Sequence, residues 1–451
     1  MVASVSDKGP TAIKAGPRRS RPRTQGGMGL GWNEVRRVAP YDFPLLAAVV
    51  MMLGLGAVMV YSATINESTM ELGDGAAKLK THLMHVALGV GLLIFATLTD
   101  YRRWKTLVYP ALAGTVLLLV LVIVAGFEAG NARRWIRLPG FNMQPVEVAK
   151  LTFVFFLAYS LAKKGSRIRR FTVAFVPHFM VCSVLILLCL FQPDFGTSVI
   201  LVLLMFTLLF VAGTKLSYIT LFIFVGGFMA FQAIASNDMR LGRVMAAINP
   251  WAYRNDIGWH SANAQIAFGS GEITGQGLGY GGQTLTGNLP EGETDFILAI
   301  IGEQLGMIGV FLVALLVGTL LYRGLRIALK TEDPFGRFLA FGITLLLVLQ
   351  ASINMLVAVT LIPTKGLTLP FISYGGSSML VSCFAVGVLL SISRQHGVET
   401  VRAYVGDFQE PAEIAPRARH QKAPKGRVSA VVDRIRNRGK DKRQNLDEVL
   451  R

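Results

Sequence analysis

Charge is scarce in this 451-residue chain: only 16% of its residues are Asp, Glu, Lys or Arg. A water-dispersed globular fold of that length needs far more polar surface, so that class is excluded. Cysteine is scarcer still, with three in all. Cys182, Cys189 and Cys383 fall inside apolar runs, match neither a disulfide framework nor a zinc site, and are expected as small core residues. No Walker loop, HExxH helix or nucleophile elbow occurs, which leaves ATP-driven transport and zinc proteolysis without support. The first 40 residues are polar and basic and do not resemble a cleavable signal.

Apolar residues fill the space that charge vacates, at 52% of the chain. At the ~20-residue length needed to cross a bilayer, about ten spans are expected, at 44–63, 83–99, 107–126, 145–162, 172–190, 197–213, 216–235, 296–322, 338–361 and 371–393. The fold class is therefore an all-α polytopic membrane protein. Lysine and arginine collect in alternate loops: Arg102, Arg103 and Lys105; Lys163, Lys164, Arg167, Arg169 and Arg170; Lys215; Arg323, Arg326, Lys330 and Arg337. By the positive-inside rule these loops and both termini are cytoplasmic, and the long segment 237–295, between the seventh and eighth spans, is outside. The net charge of +18 sits in those loops and tails, where topology and anionic headgroups account for it, so no nucleic-acid partner is expected.

Three regions follow: a basic disordered tail over 1–40, a membrane domain over 41–395, and a polar cytoplasmic tail over 396–451.

Some charges break the topological pattern. Arg133, Arg134 and Arg137 lie in a loop placed outside, beside Trp135. Guanidinium forks match a pyrophosphate, and an interfacial Trp belt with snorkelling arginines explains them equally well. Glu147 and Lys150 share a face at the start of the fourth span, as a structural pair or as the wall of a polar cavity. A stiff turn, Pro363–Pro370, carries Lys365 and leads into Gly375-Gly376-Ser377-Ser378. Asp194 precedes Gly196-Thr197-Ser198 and is expected to cap the next helix. Glu303 lies two turns into its span and needs a partner such as Lys365 or an outer arginine. His82 and His85, three apart without further ligands, are expected as interfacial histidines rather than a metal pair. Asp295 ends the polar segment where the chain turns apolar, a position suited to helix capping or to chemistry on a substrate with a wet head and a lipid tail.

These segments together resemble the SEDS family (shape, elongation, division and sporulation) of peptidoglycan glycosyltransferases. The motifs are AlaArgArgTrpIle at 132–136, GlnProValGluValAlaLys at 144–150, GlnProAspPheGly at 192–196, AsnLeuProGlu at 288–291 with ThrAspPhe at 294–296, GlyGlu at 302–303, and the run from Pro363 to Ser378. ThrLysGlyLeuThrLeuPro at 364–370 looks like the division branch, FtsW, rather than the elongation branch, RodA. Gly258-Trp259-His260 and Glu293 depart from the common family pattern, and a carboxylate two residues from Asp295 would make it harder to ionise if the side chains met.

The resemblance implies polymerisation of lipid II, an undecaprenyl-pyrophosphate-linked disaccharide pentapeptide, outside the bacterial cytoplasmic membrane at the division septum. It casts Asp295 as the base acting on the acceptor sugar. Arg133, Arg134, Trp135, Glu147, Lys150, Lys365, Ser377 and Ser378 would bind substrate, with Asp194 and Glu303 in support. No cofactor or metal-ligand set is evident, although Mg2+ or Mn2+ can assist pyrophosphate chemistry. A class B penicillin-binding transpeptidase of the FtsI type and other division proteins are the implied partners. The rival readings are a lipid II flippase, which buried charges in broken helices also suit, an elongation-type polymerase controlling cell shape, and a scaffold that leaves the outer charges unexplained.

Overall fold

The computed structural model describes residues 41–394, apart from 130–131, 139–140, 237, 288, 290–291 and 365. The two tails and Lys365 thus lie outside the described residues. Eight helical stretches are long and apolar enough to cross a membrane: Phe43–Met70, Ala77–Leu98, Tyr101–Ala125, Pro145–Lys164, Phe171–Phe191, Ile297–Lys330, Pro334–Ala358 and Gly376–Arg394. Two shorter apolar helices, Phe195–Val211 and Leu216–Phe228, occupy the remaining two expected positions. The chain is a multi-pass helical membrane protein.

In chain order the helices are α1 (Phe43–Leu72), α2 (Ala77–Leu98), α3 (Val108–Ala125, entered through a 3-10 turn), α4 (Pro145–Lys164), α5 (Phe171–Ala174), α6 (Val176–Phe191), α7 (Phe195–Val211) and α8 (Leu216–Ala235). Then come α9 (Asp238–Ile248), α10 (Trp259–Gly271), α11 (Gly282–Thr286), α12 (Ile297–Lys330), α13 (Pro334–Ala358) and α14 (Gly376–Arg394). One end of the bundle gathers the basic loops. There Arg323 on α12 donates to Asp42 at 2.6 Å, and Lys105 lies 3.3 Å from Asp333.

The structure departs from the sequence expectation in three places. The strands β1 (Phe127–Ala129), β2 (Ala132–Leu138) and β3 (Phe141–Met143) add a small antiparallel sheet to the otherwise helical fold. Short alternating stretches between Gly and Pro pair with each other instead of extending a helix. The last helix begins at Gly376, not 371, because Phe371 adopts φ 68° in the turn after Pro370. The segment 237–295, for which the sequence offered no secondary structure, carries α9, α10 and α11.

α12 is broken inside. Gly306 sits at φ 66°, ψ −162°, a region reserved for glycine. Such a break strands backbone groups, which in lipid must find partners within the protein. The strand of chain after α10 supplies them. Met307 and Ile308 donate their N–H groups to the carbonyls of Glu272 and Ile273, at 3.0 and 3.3 Å. The carbonyls of Glu303 and Gln304 accept from Gln276 and Gly277, both at 3.0 Å. Ser62 on α1 joins the lock, donating to Gln304 Oε1 at 2.5 Å and accepting from the Gly279 amide at 2.9 Å.

α4 and α14 are the central helices, with 83% and 78% of their most apolar stretch buried against 22% for Tyr101–Ala125. Glu147 and Lys150 on α4 therefore face protein, not lipid. α14 lies close along α2: a Cβ on Gly89 would stand 3.0 Å from Cys383 Sγ, and one on Gly387 would meet the backbone of Leu93. Small residues admit that approach, as is usual between membrane helices.

Candidate active site

Asp295 stands at the mouth of α12, half-buried, at the end of the bundle opposite the basic loops. It is not the cap of that helix: Phe296 holds the cap position and no side chain bonds there. Three consecutive carbonyls fix the segment. Glu293 O accepts from the Tyr374 amide at 2.8 Å, Thr294 O from Ser373 Oγ at 2.6 Å, and Asp295 O from Asn354 Nδ2 at 2.9 Å. Asn354 also donates to Leu367 O at 2.6 Å, tying α13 to the turn before α14. The carboxylate faces that turn, since a Cβ on Gly366 would lie 3.5 Å from Asp295 Oδ2.

The neighbouring carboxylate is already committed. Glu293 Oε1 lies 2.9 Å from Lys78 Nζ, and the same ammonium holds Glu67 at 2.6 Å. Lys78 thus neutralises the charge that departs from the family pattern. Burial pushes the neighbouring Tyr374 phenol above its ordinary range, so it remains a neutral group beside this pair.

Behind Asp295 lies a buried polar chain. Lys150 donates to Glu147 at 2.8 Å and to Gln350 Oε1 at 2.7 Å. Gln350 turns its amide to Thr368 O at 3.2 Å and Ser378 Oγ at 3.1 Å, and Thr368 donates to Ser378 at 2.8 Å. A charge pair this deep stays ionised only when its remaining donors and acceptors are satisfied. Lys150, 1% exposed, was expected to meet substrate; it instead braces α4 against α13.

Other expected site residues also hold structure together. Arg134 donates to the carbonyls of Gln192 and Pro193 at 2.8 and 2.7 Å, fixing the turn before α7. Ser377 accepts from the Gln144 amide at 2.9 Å and donates to Asn142 O at 3.1 Å, joining α14 to the end of the sheet. Arg133 is exposed on β2, opposite Glu128, with half-buried Trp135 opposite Phe127. Asp194 caps α7, accepting from the Thr197 amide at 3.0 Å and the Thr197 hydroxyl at 2.8 Å. Glu303, fully buried, accepts from the Gln283 amide at 2.7 Å and anchors α11 to α12.

His82 and His85 are not interfacial. Both are buried beside Tyr374, at ring distances of 6.0 and 6.4 Å, because α14 packs over this face of α2. Among the described residues no group of three or more His, Cys, Asp or Glu side chains is placed to hold a metal ion.

The sequence reading missed Lys78, Gln350, Asn354, Thr368 and Ser373. Gln350 and Asn354 carried a usable signal, being polar residues four apart within an apolar span. Lys78 carried none, since its partner Glu293 lies 215 residues away.

A bundle of apolar helices with a carboxylate at one mouth, backed by an occupied buried ion pair, defines a membrane-embedded protein with a polar site at one surface. A family model described as a cell cycle protein, FtsW/RodA/SpoVE, matches residues 43–397. The chain is 43% identical over 368 residues to a Geobacter sulfurreducens protein named "Probable peptidoglycan glycosyltransferase FtsW", covering 81% of this chain and 98% of that one. It is 37% identical over 358 residues to stage V sporulation protein E of Bacillus subtilis, covering 78% and 97%. Its fold is similar to a solved chain described as "Structural coordination of polymerization and crosslinking by a peptidoglycan synthase complex", with TM-score 0.66, 26% identity and coverage of 79% and 98%. It also resembles the rod shape determining protein RodA of Thermus thermophilus, with TM-score 0.58, 26% identity and the same coverage. The chain belongs to the FtsW/RodA/SpoVE family.

Proposed function

We propose that the chain is a peptidoglycan glycosyltransferase that polymerises lipid II into glycan strands at the outer face of the cytoplasmic membrane, for septal wall synthesis. The observation that carries this reading is Asp295: a half-buried carboxylate at the mouth of α12, on a segment held at three consecutive backbone carbonyls, and facing the turn before α14. Asp295 takes the proton of the acceptor sugar hydroxyl as that oxygen attacks the anomeric carbon of the growing strand. The new carbon–oxygen bond replaces the bond to the lipid pyrophosphate, which departs as the anion, and the carboxylic acid returns its proton to water. Arg133, exposed on β2, would attract the pyrophosphate, Trp135 offers a face for sugar or lipid, and Lys365, outside the described residues, would add a further cation for the pyrophosphate. Glu147, Lys150, Ser377 and Ser378 shape the site from behind.

The described residues form no cage for a resident metal, and Glu293 is taken by Lys78. A Mg2+ or Mn2+ ion would arrive as the counterion of the pyrophosphate, as part of the substrate. The partner in this reading is a class B penicillin-binding transpeptidase that crosslinks the strand, together with other division proteins. Similarity to the FtsW proteins supports the septal assignment over an elongation role.

The test is lipid II polymerisation by the purified protein, with and without its cognate transpeptidase, comparing wild type with Asp295→Ala. Glycan polymer from wild type and none from a folded variant is the expected result. Equal polymer from both would remove Asp295 from the chemistry. No polymer even with the partner would return lipid II transport to the front.

A further inference from the structure

The flank of the bundle away from Asp295 carries a feature that polymer chemistry does not use. α5, α6 and α8 enclose a furrow of about 490 Å3, lined chiefly by Phe171, Phe175, Phe179, Met180, Leu187 and Phe222. The aromatic rings form its wall: Phe222 stacks on Phe175 at 4.0 Å and lies 5.2 Å from Phe179. From Phe171 to Leu187 the furrow follows α5 and α6 for about 24 Å, at 1.5 Å per residue. That is the shape of an extended hydrocarbon chain.

Cations lie close along the chain to its Phe171 end, and one of them, Lys215, reaches its wall through Tyr218. Lys164 closes α4, and its Nζ is buried with no hydrogen-bond partner among the described residues. Lys215, just before α8, places Nζ 5.9 Å from the Tyr218 ring, which itself lies 5.0 Å from Phe171. Arg167 and Arg170 are exposed on the turn between α4 and α5. An ammonium withdrawn from water without an acceptor is costly, and a phosphate oxygen removes that cost. The basic end of the bundle is the cytoplasmic one by its lysine and arginine bias.

We propose that this furrow binds one anionic phospholipid of the cytoplasmic leaflet, its acyl chain along α6 and its headgroup phosphate between Lys164 and Lys215. A transmembrane helix fits poorly: at about 10 Å across and 30 Å long it is several times larger than the furrow. A zwitterionic lipid would fill the apolar part equally well, but its own cation would oppose the lysines. The site is independent of the chemistry at Asp295.

The experiment places the full-length protein in nanodiscs containing phosphatidylglycerol or phosphatidylcholine with a photoactivatable acyl chain, at equal mole fraction. Crosslinked peptides are then mapped by mass spectrometry. The phosphatidylglycerol probe is expected to label 171–187 more than the phosphatidylcholine probe, by about fivefold for each lysine engaged. Lys164→Gln with Lys215→Gln should erase that preference while labelling elsewhere stays unchanged. Met180→Trp, which fills the furrow and leaves the charges, should lower labelling of the segment by both probes. Equal labelling by the two lipids would overturn the proposal. So would a preference that survives loss of both lysines, or crosslinks at this segment to a co-purifying polypeptide instead of lipid.

Discussion

Asn354 Nδ2 donates to the carbonyl of Asp295 at 2.9 Å and to the carbonyl of Leu367 at 2.6 Å. One side chain thereby sets the distance between the proposed base and the turn it faces. Asn354→Ala removes both bonds and leaves two carbonyls unsatisfied. A misplacement near 1 Å costs about 100-fold in turnover, so the variant is expected to lose between about tenfold and 100-fold in kcat, with a smaller change in KM. Steady-state polymerisation assays separate the two.

Glu147 and Lys150 bind each other at 2.8 Å in a nearly solvent-free interior. Lys150→Met alone strands a buried carboxylate, and Glu147→Leu alone strands a buried ammonium. Each single change is expected to cost about 3–5 kcal/mol, and the double variant less than either. Thermal unfolding of the four proteins in one detergent closes that cycle. A double variant as unstable as the sum of the singles would contradict the pairing.

Gly306 admits no side chain. Its φ of 66° is strained for other residues, and a Cβ would strike the backbone of Ile273 and Gly275. Gly306→Ala is expected to cost about 2–6 kcal/mol from strain and overpacking together. Gly226→Ala, on α8 with nothing within 4 Å of its Cβ, is the control and should be near neutral. Limited proteolysis of 271–281 reports the difference directly, because that segment is held by the break at Gly306.

Lys78 holds Glu293 at 2.9 Å, two residues from Asp295. In Lys78→Gln the Glu293 charge is left facing the site. A nearby negative charge favours the protonated form of a carboxylic acid, so the base is lost at a higher pH than before. The acid limb of the polymerisation rate is therefore expected to move to higher pH. Glu293→Gln in the same background should reverse the shift, which a purely structural role for Lys78 would not produce.

The membrane spans were legible because their signal is local. A run of apolar residues near 20 long has one stable solution in a bilayer, and eight of the ten expected runs coincide with helices long and apolar enough to cross, the other two with shorter apolar helices. The position of Asp295 was legible for the same reason, as it marks an abrupt change from polar to apolar sequence. The break at Gly306 escaped because its partners near 272–277 are distant along the chain, whereas the sheet of β1, β2 and β3 and the helices within 237–295 are local but too short to carry a clear period.

The sequence by itself determined the fold class, most of the apolar helices, the family motifs and the place of Asp295 just before a long apolar helix, since each follows from residue order over short distances. Only the tertiary structure decided what the charged residues do. Lys150 became a brace once Gln350 closed on it, Arg134 a clamp on the turn at Gln192, and Glu293 the partner of Lys78. A charge inside a membrane protein takes its role from whichever group desolvation leaves beside it, and that neighbour is fixed by packing between helices.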